Sequence, residues 1–190
     1  MGGAQERPLR ADAARNRARL LDVATEVFTT RGISVPTEEI ARTAGVGVGT
    51  LFRHFPTKEA LLEAVMVRRL EAMAAETGRL AAGADPAEAF FACFRLVVEQ
   101  SEGKNEFAQA LAAAGVDVHA SLQGPTMEIK AALAGLLTGA QRAGAVRPEL
   151  GMPEFLALLA GTGRAMEQLG ADPQPRERVF GVVFDGLRPR

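Results

Sequence analysis

The sequence predicts an all-α protein of about nine helices, and two observations carry this prediction. Apolar residues recur at intervals of three and four along most of the 190 residues, which is the spacing of a helix with one buried face. Glycines and prolines separate these segments at positions typical of helix ends. The composition, with 47% hydrophobic and 24% charged residues, indicates a globular chain and excludes an intrinsically disordered one.

Three helices are predicted in the N-terminal third. The first begins at Asp12, which suits an N-cap, and ends at Gly32. In the segment SVPTEEIARTAG, Pro36 suits the first position of a second helix, and Gly45 suits the left-handed residue that follows it. A third helix spans Val48–His54 and ends there, because the following proline disfavours helical geometry at the residue before it.

Longer helices are predicted in the rest of the chain. Thr57 caps a fourth helix that continues to about Leu80. A glycine and then a proline follow, which indicates a break and a new helix start. The segment GVDVHASLQG has no clean helical period, so a loop is predicted at 115–124. Further helices are predicted at 86–102, 105–114, 125–143, 153–169 and 175–187.

The segment AGVGVGTLFRHF places three glycines two residues apart, and two kinds of site could use them. A dinucleotide-binding loop needs a preceding strand and the spacing G-x-G-x-x-G, and a Walker loop needs a lysine directly after the last glycine; neither is present. Two short helices joined by a glycine-containing turn instead fit a helix-turn-helix. Gly45 then closes the second helix, Gly47 caps the third, and Gly49 allows close approach to another surface.

These residues resemble the DNA-binding signature of a known family. The segment IARTAGVGVGTLFRHFPTKEALLEAV is similar to that of the tetracycline-repressor (TetR/AcrR) family of bacterial transcriptional regulators, and the resemblance covers about residues 15–67. It implies an all-helical homodimer with an N-terminal helix-turn-helix domain, 1–56. A long fourth helix would join it to a helical domain for a small-molecule effector and for dimerisation, 57–190. The implied activity is regulation of transcription, most simply by a repressor that leaves an inverted-repeat operator when the effector binds.

The resemblance also implies individual contacts with double-stranded DNA. The third helix would be the recognition helix, with its N-terminal end near base edges, Arg53 as a further reader, and His54 and Lys58 at phosphates. Leu51 and Phe55 are expected in the core instead. The full set of implied DNA contacts is Arg15, Arg17, Thr37, Gly47, Val48, Gly49, Thr50, Phe52, Arg53, His54, Thr57 and Lys58.

Two departures from the family pattern concern three positions. Phe52 stands where many relatives have a tyrosine, so the hydroxyl that could donate to a phosphate is missing. Gly47 and Val35 stand where relatives often carry a serine or threonine cap. Backbone N–H groups at those helix starts would then have to bind phosphate without side-chain help.

The charge distribution agrees with a basic N-terminal region. The first 70 residues contain eleven Lys/Arg and eight Asp/Glu, whereas the remainder contains eleven and fifteen. Five arginines between Arg7 and Arg19 face only Glu6 and Asp12, which is a modest version of the footprint expected near phosphates. A solvated helix start would have a similar composition.

The last two helices are more apolar than the surface of a monomer allows. A second copy, packed through an isologous four-helix interface, is the economical partner, and a fully internal bundle is the alternative. The predicted interface residues are Phe155, Leu158, Leu159, Thr162, Met166, Val179, Val183 and Phe184.

Methionines and phenylalanines between these regions indicate either plain core or the wall of a ligand pocket. The pocket would suit an apolar small molecule, because few charges lie on these helices. The fourth helix, with Met66, Met73 and Leu80 along it, would transmit the effect of the ligand. The predicted ligand contacts are Met66, Phe90, Phe91, Phe94, Phe107, Leu111, Met127 and Leu133.

Other classes of protein receive little support from the sequence. A single Cys93 with two histidines predicts no disulfide and no metal cluster, and Cys93 is expected to be a small buried hydrophobe. No paired-carboxylate, nucleophile–histidine or cofactor pattern suggests an enzyme or a cofactor. No long apolar run or secretory segment is present, so a cytoplasmic protein without a membrane partner is expected. The alternative function is a helical-bundle carrier of a small molecule or lipid with no role at DNA.

Overall fold

The computed structural model describes residues 6–83, 85–101 and 104–189 of the chain. These residues form nine α-helices and no strand, which confirms the all-α prediction. The helices are α1 (Glu6–Arg31), α2 (Thr37–Thr43), α3 (Val48–His54), α4 (Lys58–Ala81), α5 (Pro86–Gln100), α6 (Lys104–Ala113), α7 (His119–Arg142), α8 (Met152–Leu169) and α9 (Pro173–Leu187).

Several helix starts differ from the predictions by a few residues. Asp12 is inside α1 and forms an ion pair with Arg15, so it caps nothing. Pro36 is predicted as the first residue of α2, but it is the N-cap. Val35, which is predicted at the cap position, therefore lies one residue before it. Helix α9 starts at Pro173 because the Asp172 carboxylate accepts a hydrogen bond from a backbone N–H of the first turn, at 3.0 Å.

The predicted loop at 115–124 is wrong for most of its length. Gly115 ends α6 with a positive φ of 71°, but α7 begins at His119 and continues through Pro125. The prediction is wrong because a proline usually marks the first turn of a helix, whereas Pro125 lies in the second turn of α7. The first two turns of α7 also carry mainly exposed or half-buried side chains, so they have no apolar period to detect.

The chain divides into two compact units. The first comprises the described residues of Met1–Arg69 together with Glu106–Val118, and the second those of Leu70–Asn105 together with His119–Arg190. In the first unit, α1 packs on α2 and α3, and α2 packs on α3. Its three-helix core contains Leu20, which is fully buried.

Helix α6 contributes an aromatic contact to the first unit. The Phe107 ring meets the Phe28 ring edge-on, with 6.1 Å between centroids. The Arg69 guanidinium lies over the Phe107 ring, 5.4 Å from its centroid. Burial lowers the pKa of Arg69. Phe107 is therefore a structural residue of the first unit.

The second unit is held by phenylalanine rings. Helix α5 packs on α7 and α8, and α8 packs on α9. The Phe90 and Phe155 rings stack with 5.0 Å between centroids, and Phe94 lies 6.0 Å from Phe155. Cys93 is buried beside them, and this burial raises the pKa of its thiol to about 11. The prediction that Cys93 is a buried hydrophobe is confirmed.

The turn between α2 and α3 depends on Gly45. Its φ of 68° is in the left-handed region, as predicted for the residue after the second helix. A Cβ built there would lie 3.4 Å from a guanidinium nitrogen of Arg19 on α1. A side chain at this position would meet both an unfavourable backbone conformation and a close neighbour.

We expect Gly45→Ala to lower the free energy of unfolding by about 1–2 kcal/mol, because alanine resists the left-handed conformation. Urea unfolding followed by circular dichroism measures this change. Gly49→Ala is the matched control: its Cβ would meet nothing within 4 Å, so we expect unchanged or slightly increased stability. Equal effects of the two substitutions would contradict the role given to the left-handed turn.

Candidate nucleic-acid interface and ligand cavity

Helix α3 has one buried side and one exposed side. Leu51 is fully buried and Phe55, just after the helix, is 2% exposed, so both are core residues as predicted. Val48 and Phe52 are large apolar residues that remain 36% and 38% exposed. The exposed side consists of Gly47, Val48, Gly49, Phe52 and Arg53, with Thr50 and His54 half-buried at its edges.

The N-terminal end of α3 is open. Gly47 is its N-cap, in an extended conformation and without a side-chain cap. The Gly47 carbonyl accepts hydrogen bonds from the N–H groups of Thr50, at 2.9 Å, and Leu51, at 3.2 Å. The N–H groups ahead of these have no acceptor within the helix, so they are available to an external oxygen.

The start of α4 is capped by Thr57, as predicted. Its hydroxyl oxygen accepts a hydrogen bond from the Ala60 N–H at 3.1 Å. Hydrogen bonds to the Glu59 carboxylate, from the Glu59 N–H and from the Thr57 hydroxyl, lower the pKa of Glu59. Thr57 is exposed and Lys58 is half-buried, so both lie at the surface within four residues of α3.

Other predicted DNA-contacting residues have partners within the first unit. The Arg17 guanidinium lies 5.1 Å from the Phe55 ring centroid, while Arg15 is paired with Asp12. Thr37 is buried, and its hydroxyl lies 3.4 Å from a carboxylate oxygen of Glu38. Thr37 is thus the predicted contact whose side chain the structure removes from the exposed surface.

The basic arm is described only in part. The side chains of Arg7 and Arg10, which belong to the predicted arm, lie outside the described part of the structure. Arg19 is the last arginine of the predicted arm, and its guanidinium lies close to the Gly45 turn. Its place in a run of alternating arginines is a signal in the sequence. The reach of its side chain to the turn depends on how α1 packs, which the sequence does not reveal.

An ion-pair network joins α1 to α2. A carboxylate oxygen of Glu39 lies 2.6 Å from an Arg31 nitrogen and 3.8 Å from an Arg42 nitrogen. The hydrogen bond from Arg31 is the largest cause of a lowered pKa for Glu39. This network ties the helix before α3 to the end of the long first helix.

The second unit contains a cavity of about 560 Å³ between α4, α5, α7 and α8. This volume lies within the range of roughly 300–1,000 Å³ that is usual for small-molecule sites. The lining residues are Leu70, Met73, Val97, Ser101, Thr126, Ile129, Lys130, Leu133, Leu156, Leu159, Ala160, Gly163, Arg164 and Glu167.

Of the eight predicted ligand contacts, Leu133 is the one that lines this cavity. Phe90 and Phe94 are buried in the ring cluster, Phe91 borders a separate, shallower hollow, and Met127 is 58% exposed. The other three, Met66, Phe107 and Leu111, are buried residues of the first unit. The phenylalanines gave the stronger sequence signal, but they form core contacts with one another.

The predicted interface residues of α8 and α9 differ in their exposure to solvent. Phe155, Leu159, Thr162 and Met166 are buried within the chain, and Leu159 lines the cavity. Val179, Val183 and Phe184 are half-buried and pack against the core. Leu158 is 38% exposed. Among apolar residues of α9 the most exposed is Val182, at 75%.

Within 6–83, 85–101 and 104–189, no helix is both long enough and apolar enough to span a bilayer. The described side chains include no cluster of three histidine, cysteine or carboxylate residues placed to hold a metal ion.

Comparisons with known proteins agree with the helix-turn-helix reading. The model "Bacterial regulatory proteins, tetR family" matches residues 20–65, and "Transcriptional regulator SbtR-like, C-terminal domain" matches residues 85–189. A TetR transcription regulatory protein from Mycobacterium vanbaalenii is 41% identical, with a TM-score of 0.74, over 96% of this chain and 100% of that one. The chain belongs to the TetR family.

Further TetR-family relatives show the same relationship. A TetR transcriptional regulator from Streptomyces coelicolor is 34% identical with a TM-score of 0.72, over 91% of this chain and 98% of that one. An HTH-type transcriptional regulator from Staphylococcus aureus (strain USA300) is 38% identical over 64 residues, which are 33% of this chain and 35% of the relative. This chain therefore matches about a third of that relative's length.

Membership in the TetR family confirms the predicted resemblance and fold. The family consists of DNA-binding transcriptional regulators and not of enzymes. It gives no support to the alternative of a carrier without a role at DNA.

We expect Glu39 to stabilise the fold in a pH-dependent way. Because Arg31 holds its pKa below that of a free glutamate, its contribution is complete above about pH 5 and is lost as the pH falls through the lowered pKa. The urea midpoint of the wild type should therefore exceed that of Glu39→Gln near neutral pH and converge with it in acid. A difference independent of pH would contradict the Arg31 pairing, and Glu26→Gln, an exposed carboxylate of α1, is the control.

Proposed function

We propose that this chain is a ligand-responsive repressor that binds an inverted-repeat operator as a homodimer and leaves it when a small molecule binds. The observation that carries the proposal is the exposure of α3. Glycines, Val48 and Arg53 of this helix are exposed, while Leu51 and the adjacent Phe55 are buried in the core. A helix presented in this way can enter a major groove, with base edges reached from its N-terminal half. A repressor of this kind would act in the cytoplasm.

The surroundings of α3 support contacts with phosphates. His54 is the last residue of the helix and Lys58 begins the next one, and both are half-buried at the surface. Open N–H groups at the start of α3 can donate to phosphate oxygens. Phe52 is exposed and can contact sugar or a thymine methyl group, but it lacks a hydroxyl to donate. We assign DNA binding to the domain 1–56, together with Thr57 and Lys58.

We expect two distinct effects from substitutions at this surface. Lys58→Ala should weaken binding to all sequences and reduce the slope of log K against log salt concentration by about one. His54→Ala should also weaken binding to all sequences equally. Arg53→Ala should cost about 1–3 kcal/mol and relax the preference at one base pair in each half-site, if it reads guanine. Fluorescence anisotropy with a selected operator, across salt concentrations and single-base variants, measures both.

Arg142→Ala is the matched control, because it removes an exposed cation from the end of α7. We expect it to leave affinity and salt slope unchanged. A wild-type affinity that does not depend on salt would contradict the assignment of DNA binding as a whole.

Exposed apolar residues on α8 and α9 support the homodimer. Leu158 and Val182 are exposed to water in the single chain, and the exposed Gly161 and Gly181 leave room for a neighbouring helix. A second copy packed through these helices would cover them with an isologous interface. Two recognition helices would then read half-sites about one helical turn apart, or a multiple of it.

We expect Val182→Glu and Leu158→Glu to raise the dimer dissociation constant by at least about a hundredfold, because each places an unpaired charge in the interface. Sedimentation velocity at micromolar concentration distinguishes monomer from dimer. Ala131→Glu, at an exposed position on α7, is the control and should remain dimeric. A wild type that is already monomeric would refute the interface.

The cavity supports control by a ligand. Helix α4 is continuous from Lys58 to Ala81, with Lys58 at its start and Leu70 and Met73 in the cavity wall. We propose that a ligand in the cavity favours a conformation with low affinity for the operator, and that α4 transmits the difference. Linkage then requires DNA to weaken ligand binding by the same factor, typically about 1–3 kcal/mol.

A further inference from the structure

The cavity of the second unit is apolar on the inside. Its buried walls are formed by Leu70, Met73, Ile129, Leu133 and Leu159, which come from α4, α7 and α8. These side chains offer no hydrogen-bond donor and no charge. The inner part therefore favours an apolar group of the ligand, because burial removes its surface from water.

The rim of the same cavity is charged. Lys130 on α7 and Arg164 and Glu167 on α8 line it, and all three are exposed. An Arg164 nitrogen lies 3.7 Å from a Glu167 oxygen, so these two charges offset one another. No ion pair among the described residues involves Lys130. The rim thus has one excess positive charge, located at Lys130.

Two polar side chains also line the cavity. The Ser101 hydroxyl donates a hydrogen bond to the Val98 carbonyl at 2.7 Å, while Thr126 presents a second half-buried hydroxyl. Gly163 faces Ser101 so closely that a Cβ there would lie 2.6 Å from the hydroxyl oxygen. The absence of a side chain at Gly163 thereby makes room for the Ser101 hydroxyl beside the apolar walls.

From the apolar walls and the positively charged rim we propose that the cavity binds an amphipathic anion. Its apolar body would lie between α4, α7 and α8, and its carboxylate at Lys130. The proposal rests on the proposed function in taking this cavity as the effector site, and it replaces the expected purely apolar ligand with a charged amphiphile. A neutral apolar molecule would gain nothing from Lys130, and a cationic amphiphile would be repelled by it. An anionic head group is the complement of the excess charge.

The experiment compares three probes that share one alkyl chain: dodecanoate, dodecan-1-ol and dodecyltrimethylammonium. Isothermal titration calorimetry below the aggregation concentration of each probe gives the affinity for the full-length protein. We expect dodecanoate to bind most tightly, dodecanol more weakly and the cation least. Dodecanol binding as tightly as dodecanoate would overturn the proposal, as would a lack of dodecanoate binding.

Substitutions locate the binding. Lys130→Gln should weaken dodecanoate binding about three- to tenfold and leave dodecanol binding unchanged, whereas Lys130→Arg should retain it. Arg142→Gln, an exposed cation of α7 outside the cavity lining, is the matched control and should have no effect. An equal loss for dodecanol with Lys130→Gln would contradict a role for its charge.

A second pair of variants tests occupancy of the cavity without disturbing the buried core. Ala160→Phe places a ring at an exposed position of the lining and should abolish binding of both dodecanoate and dodecanol. Ala131→Phe, exposed on α7 and outside the lining, should bind both normally. Normal dodecanoate binding by Ala160→Phe would show that the probe binds elsewhere and would overturn the proposal.

Operator binding, measured with the same protein preparations, separates this proposal from the proposed function. Dodecanoate that binds with the expected Lys130 dependence but leaves operator affinity unchanged supports the ligand class and refutes ligand control. Failure of dodecanoate to bind while the protein still binds its operator refutes the ligand class and leaves DNA binding intact. Weaker operator binding in dodecanoate, absent in Ala160→Phe, supports both.

Discussion

The proposed DNA surface depends on the burial of two side chains, Leu51 and Phe55. Helix α3 has only seven residues, and an isolated helix of that length is not stable in water. Its orientation must therefore come from packing against α1 and α2, in which these two side chains take part. Once Leu51 is buried, the period of the helix places Arg53 on the opposite side and leaves Val48 and Phe52 partly exposed on the flank.

In the second unit, too, the residues that pack the core differ from those that line the candidate binding site. The buried rings of this unit pack against one another, such as Phe90 on Phe155. The cavity is lined instead by aliphatic side chains and by charged residues at its rim. Aliphatic walls can readjust around a guest, whereas interlocked rings lose contact energy when they move.

Sequence reasoning predicted several helix ends correctly and most side-chain environments poorly. Gly45, Gly47 and Thr57 act at helix ends as predicted, because their roles depend on backbone conformation within a few residues. The family was also recognisable, because its signature is a local run of residues. The position of Phe107 could not be predicted, since its contacts with the first unit join segments that are distant in the chain.

The buried thiol of Cys93 makes the chain convenient for spectroscopy. With a pKa of about 11 it is almost entirely protonated at neutral pH, and thiolate is the form that reacts with maleimides and oxidants. Since it is the single cysteine of the sequence, a cysteine introduced at an exposed site would be the one that accepts a label. Distances between labels on two copies could then be measured without removing the native residue.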